Sequence, residues 1–213
     1  MLQEQYWSSF TKSSPNHHAW TLIEPHIYDT QPRSAIYINS RKITPSNLTP
    51  LPIPINDITA VEISLPNNLP SLIINIYNAP GSQVVQEFQH YAAANINPEK
   101  YKFIIIGGDF NLHHPLWNPE QYDRHKEDSD TLIDTMSNLN LSLLLPPGTV
   151  TYPNAGTAID LVWGNTNAVQ ALIYCKIADE DFGSDHLPIQ TEMATNFTQQ
   201  DCATLPYNFD KTD

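Results

Sequence analysis

Asp109 and Asn111 stand two residues apart at the end of the run Phe103, Ile104, Ile105, Ile106, Gly107, Gly108. Four apolar residues bounded by paired glycines read as a buried strand that ends in a tight turn. In extended backbone, residues two apart point to one side, which leaves Phe110 to pack the opposite way. A carboxylate so placed can take a proton from a water while the amide fixes that water or a phosphate oxygen, as metal-assisted phosphoester chemistry requires. The same Gly-Asp-x-Asn stretch also suits an ordinary turn in which both side chains bond their own backbone.

A second polar group lies near the C-terminus, where Ser184, Asp185 and His186 precede the apolar run Leu187, Pro188, Ile189. Consecutive side chains alternate in direction, so these three cannot form a nucleophilic triad among themselves. A histidine that faces a phosphate needs an orienting carboxylate, which fixes its tautomer and steadies the imidazolium. The adjacent His113 and His114 diverge on a loop and lack cysteine or oxygen-cluster support for zinc. His17, His18, Glu180 and Asp181 read as solvated surface.

The elements that must position these residues alternate between strand and helix. Residues 20–39 hold two short strands, TLIE and AIYIN, around a loop. Residues 43–56, with prolines at 45, 50, 52 and 54, read as a loop or sheet-edge segment. Residues 58–65 alternate as a strand whose hairpin partner is Leu72 to Tyr77. Val84, Val85, Phe88, Tyr91 and Ala92 follow helical spacing, as do Leu132, Ile133, Met136, Leu139 and Leu141 behind the acidic turn of Glu127, Asp128 and Asp130. Strands are expected at 159–163, 169–177 and 187–193, and residues 194–213 read as a polar tail.

Composition bounds the rest. At 213 residues and 40% hydrophobic content the chain suits one globular domain. Two cysteines, Cys175 and Cys202, have no metal or disulfide-framework spacing, so a reducing compartment is expected. Met1 to Phe10 has neither a basic nor an apolar leader region, and no apolar run approaches the roughly 18 residues that span a membrane. A soluble, intracellular product is expected, nuclear if active. The formal charge is −13, the wrong sign for whole-surface binding of a polyanion, so weak and salt-sensitive DNA contact is expected.

The segment GGDFNLHHPLWN resembles the GDFN segment of the endonuclease/exonuclease/phosphatase superfamily, and its HHPLW continuation is similar to endonuclease domains of non-LTR (LINE-type) retrotransposons. SDHLPI resembles the superfamily's closing Ser-Asp-His motif. Thr157 to Trp163 resembles the strand carrying the aspartate that orients the histidine, here Asp160. Thr151 matches a threonine that touches DNA phosphate, Tyr77 in NIYNAP matches a tyrosine that donates to the transition state, and Glu4 in Gln3-Glu4 matches a metal-binding glutamate. These matches fall in the superfamily's order. The strand that delivers an asparagine in the superfamily has no counterpart before Glu4.

The resemblance implies a four-layer α/β sandwich, two mixed sheets flanked by helices with the first strand missing, over residues 1–193. It implies Mg²⁺-dependent phosphodiester hydrolysis, with Mn²⁺ as a substitute. Asp109 would activate water and Asn111 would position it; Glu4 and Asp185 would hold the metal. Ser184, Thr151, Asn111 and His186 would contact phosphate, and His186, oriented by Asp160, would join Tyr77 in stabilising the transition state. DNA is the implied substrate, and a reverse transcriptase domain the implied partner in an intact element. Two other readings are a disabled remnant and a superfamily phosphatase acting on small phosphoesters. DNA binding without cutting fits poorly with the acidic charge.

Overall fold

A computed structural model of the chain describes residues 1–11, 13–25, 31–119, 126–180 and 182–194. The expected tail, apart from Ala194, lies outside the described residues, as do Asp181 and Cys202. In chain order the elements are β1 (Leu2–Gln3), β2 (Trp20–Ile23), β3 (Ser34–Asn39), a 3-10 turn (Pro45–Asn47), β4 (Leu48–Leu51), β5 (Ile58–Ile63) and β6 (Ser71–Tyr77). There follow α1 (Val84–Asn95), β7 (Ile104–Asp109), α2 (Lys126–Asn138), β8 (Leu141–Leu143), β9 (Asp160–Asn165), α3 (Thr166–Ala171), β10 (Leu172–Ile177) and β11 (Ile189–Met193).

Six strands form one mixed sheet in the order β4-β5-β6-β7-β9-β8. The expected hairpin is β5 against β6, antiparallel from Ile58↔Ile76 to Ile63↔Ser71. Strand β6 then runs parallel to β7, which needs a crossover, and α1 supplies it. The proline-bearing segment forms the edge strand β4, with Pro50 opposite Val61; an edge tolerates the missing N–H.

Several expected boundaries shift, two of them for visible local reasons. Leu141 does not continue α2, because Asn140 turns left-handed at φ 55 and releases the chain into β8. Val169 to Ala171 are helical rather than extended, because the Asn165 side chain accepts from Ala168 N at 3.1 Å and caps α3. The strand expected at 159–163 runs instead from Asp160 to Asn165.

The period-2 alternation of the large sheet divides its two faces. Leu72, Ile74, Ile104 and Ile106 face α1 and α2, where Phe88, Leu132 and Met136 are fully buried with them. Each such side chain contributes about 1.5–3 kcal/mol through burial. The opposite face meets a second layer made of two antiparallel pieces, β1-β3-β2 and β10-β11. Ile23, Ile36 and Ile38 pack with Val61 under the first piece, and Phe103, Ile105 and Val162 pack under the second with α3. A cavity of about 490 Å³ is lined from both pieces, by Gln3 of β1 and by Ile189 and Thr191 of β11, together with Asp160 and His186. Fully buried Asn75 ties β6 to the second layer: its Nδ2 donates to Leu2 O at 2.8 Å and Ala35 O at 3.1 Å, and its Oδ1 accepts from Gln3 Nε2 at 2.6 Å.

Candidate active site

Strand register brings the candidate residues into one row. Tyr77 is the Cα partner of Asp109 across β6 and β7, and Asp109 is the partner of Asp160 across β7 and β9. Asp57 extends the row one strand further, since its carbonyl accepts from Tyr77 N at 2.9 Å. All four lie at one end of the sheet.

The turn after Asp109 is built to hold its carboxylate. Asn111 N donates to Asp109 Oδ1 at 3.1 Å, and Asn111 Nδ2 donates to Asp109 Oδ2 at 2.9 Å. Asn111 itself adopts φ 50, a left-handed conformation that asparagine tolerates. The turn alternative and the catalytic reading therefore describe the same residues: the amide bonds the acid, and both face the site. Asn78 braces the turn from β6, its Nδ2 donating to Phe110 O at 2.7 Å and its carbonyl accepting from Asn111 Nδ2 at 3.1 Å.

His186 reaches the row from the second layer. Its Nδ1 lies 2.8 Å from Asp160 Oδ2, and a carboxylate only accepts, so Nδ1 carries a proton. The hydrogen bond to Asp160 pushes the imidazole up to about 9, with the charges of Asp160, Asp109 and Asp185 adding and burial opposing. His186 is accordingly an imidazolium at neutral pH. The Tyr152 ring packs on it, with centroids 4.9 Å apart.

Burial pushes the Asp109 carboxyl up to about 7, helped by the facing charge of Asp160 and opposed by His186 and Asn111. Burial also pushes the Tyr77 phenol up to about 12, followed by its hydrogen bond to Glu4 and the Glu4 charge. Tyr77 thus keeps its proton, Asp109 exchanges its proton near neutrality, and His186 stays protonated there, a set suited to a base and an acid.

Carboxylate oxygens of Asp109 and Asp160 and a ring nitrogen of His186 lie within 4.8 Å of one another. An oxygen-rich set of this kind fits a hard divalent cation. A protonated His186 leashed to Asp160 is not a ligand in that set, so the carboxylates are the donors that matter. Glu4 stands against Tyr77 at the other side of the row, held by Glu4 N donating to Arg33 O at 2.8 Å. Asp185 and Ser184 are exposed beside His186, and Ser184 Oγ accepts from His186 N at 3.2 Å.

Thr151 sits beneath the row. It is fully buried, and its Oγ1 accepts from Ile159 N and Asp160 N, each at 3.0 Å. Four residues of evident structural weight at the site escaped the reading from sequence: Arg33, Asp57, Asn78 and Tyr152. Arg33 and Asp57 form a forked pair, with Nε donating to Oδ1 at 2.9 Å and Nη2 to Oδ2. Nothing local marks them, because they meet only when β3 packs over the start of β5.

The family described as endonuclease-reverse transcriptase matches residues 71–190, more than half of the chain and the span that holds Tyr77, Asp109, Asp160 and His186. The chain belongs to the endonuclease/exonuclease/phosphatase superfamily. Solved structures of nucleases share its fold. The endonuclease domain of TRAS1, a telomere-specific non-LTR retrotransposon, aligns with TM-score 0.65 and 16% identity over 85% of this chain and 83% of that one. The AP endonuclease LMAP from Leishmania major gives 0.62 and 13% over 83% and 71%, and an AP endonuclease from Archaeoglobus fulgidus gives 0.59 and 14% over 82% and 79%. No curated protein matches in sequence. Among the described residues no helix is long and apolar enough to cross a membrane.

Proposed function

We propose that this superfamily member is a Mg²⁺-dependent phosphodiester hydrolase that nicks DNA, of the type carried by non-LTR retrotransposons. The observation that carries the reading is the row of Tyr77, Asp109 and Asp160 on three adjacent strands, closed by His186 on Asp160. Asp109 takes the proton of the attacking water, and Asn111, bonded to both of its oxygens, holds the geometry of that transfer. His186 Nε2 donates to a phosphate oxygen as charge builds on it, and the Tyr77 hydroxyl would do so by exchanging its bond to Glu4 for one to phosphate. Glu4, against Tyr77, and Asp185, beside His186, flank the row from opposite sides; each would offer an oxygen to Mg²⁺, or Mn²⁺, at its own side, with the Asp109–Asp160 pair between them offering further oxygens. A divalent cation bound there would neutralise charge on the phosphate and the leaving oxygen.

In this reading Ser184 contacts phosphate, Asn111 does so by exchanging its Nδ2–H bond to Asn78 O for one to phosphate, and Thr151 acts through Asp160 rather than on the substrate. The intact element would supply a reverse transcriptase that uses the 3′-hydroxyl at the nick, and the site of action would be nuclear. Nicking of supercoiled plasmid in Mg²⁺ at low salt tests it. The chain should nick, and Asp109→Ala and His186→Ala should abolish nicking while remaining folded. A folded chain that never nicks in Mg²⁺ or Mn²⁺ would refute the reading.

The net charge of −13 favours a second reading, hydrolysis of small phosphoesters at the same site. Faster turnover of a soluble phosphomonoester than of plasmid would select it.

A further inference from the structure

We propose that Arg33 binds a substrate phosphate next to the scissile one, so that the site takes a polynucleotide rather than an isolated phosphoester. The inference rests on the DNA-nicking reading above and assigns it a specificity residue.

The row Asp57, Tyr77, Asp109, Asp160 crosses four neighbouring strands, β5 to β9. At about 4.8 Å per step it spans roughly 14 Å. A cation stands at each end. His186 is held by Asp160, and Arg33 is held by Asp57; both acids are buried, at 9% and 6% exposure. The Arg33 side chain is 37% exposed. In each pair the acid is the buried partner and the cation the more exposed one. One phosphate group is far smaller than the distance between the two ends, so the two cations serve different phosphates.

Arg33 is also fixed where such a contact needs it. Its guanidinium lies 4.8 Å from the centroid of the Tyr77 ring, and its carbonyl accepts from Glu4 N at 2.8 Å. Asp57 occupies Nε–H and one Nη2–H. Of the five donors of a guanidinium, the Nη1 pair and one Nη2–H have no hydrogen-bond partner among the described residues, although the Glu4 charge also acts on Arg33; they form the fork that suits phosphate. The acids of the site would otherwise repel a polyanion. Lys100 and Lys176 are paired away from the row, with Glu62 and Asp179.

The test is equilibrium binding of a labelled DNA duplex in EDTA across a salt series, for the unaltered chain, Arg33→Gln, Arg33→Lys and Arg41→Gln. Each phosphate contact contributes about 0.9 to the slope of log K against log salt. Arg33→Gln should flatten the slope by about that amount, Arg33→Lys should keep it, and the exposed Arg41→Gln should leave it unchanged. Arg33→Gln and Arg33→Lys with the slope of the unaltered chain would overturn the assignment alone. Absence of DNA binding by the unaltered chain would overturn the DNA reading itself and the assignment with it. If Arg33→Gln proves unfolded, the double variant Arg33→Gln with Asp57→Asn, which leaves no unpaired buried acid, takes its place: a slope flattened by about 0.9 supports the contact, and an unchanged slope overturns it.

Discussion

The 2.8 Å contact between His186 Nδ1 and Asp160 Oδ2 joins the second layer to the large sheet at the point where the chemistry is proposed. Asp160 holds the ring protonated up to about pH 9. Since the folded value exceeds the ordinary 6.5, this contact stabilises the fold fully below about pH 6.5, and the stabilisation is lost as pH rises through about 9. Asp160→Asn should return the His186 midpoint toward 6.5, as read by histidine ring resonances. The alkaline limb of the nicking profile should fall by a similar interval. An unmoved midpoint would show that Asp160 does not set the charge of the ring.

Asp109 carries the opposite stability signature. Its carboxyl is raised from 3.8 to about 7 by burial and by Asp160, so the folded state binds the extra proton and loses stability as pH rises from about 4 to 7. Asp109→Asn should therefore raise Tm at pH 8 in EDTA, by several degrees for a gain of one to a few kcal/mol. The same change should cut nicking by roughly 10²–10⁴-fold, the worth of a general base. Added Mg²⁺ should raise Tm of the unaltered chain more than that of Asp109→Asn. A lower Tm for the variant in EDTA would mean that Asp109 is a net structural support.

What could be read from sequence follows from how local the signal was. The β5–β6 hairpin, α1 and β7 were legible because their alternation or helical spacing lies within a dozen residues, and Asp109, Asn111 and His186 because each sits at the mouth of such an element. The division of the second layer into two pieces was not legible, because it depends on which edges β1 and β11 leave unpaired. Arg33 and Asp57 were invisible for the same reason: 24 positions separate them, and only the packing of β3 over β5 brings them together. Thr151 was found by resemblance, but its burial under β9 required coordinates.

Adjacent glycines before Asp109 should respond very differently to alanine. At Gly108, φ is 152 and a Cβ would stand 1.8 Å from Ile76 O, a backbone atom of the neighbouring strand. Relief requires parting β6 from β7, so Gly108→Ala should cost about 4 kcal/mol or more. At Gly107 the nearest atom is Met1 Cε at 2.9 Å, the free end of a flexible side chain. Gly107→Ala should cost under about 1.5 kcal/mol. Urea denaturation of the two variants checks the contrast, and equal costs would contradict the close approach at Gly108.

Thr151 decides between support and contact. Its hydroxyl accepts from Ile159 N and Asp160 N in a fully buried site. Thr151→Val keeps the shape but leaves both amides without their acceptor, at a cost of about 1–3 kcal/mol each. The Asp160 backbone should then shift, lowering kcat and moving the His186 midpoint, with KM for DNA little changed. Thr151→Ser restores the oxygen and should restore both. If Thr151 instead touched DNA phosphate, Thr151→Val would raise KM and flatten the salt dependence of binding while leaving the His186 titration where it was. Steady-state kinetics on a nicked-product assay, together with the histidine titration, separates the two, because only displacement of Asp160 can alter a proton on His186 without altering how tightly DNA is held.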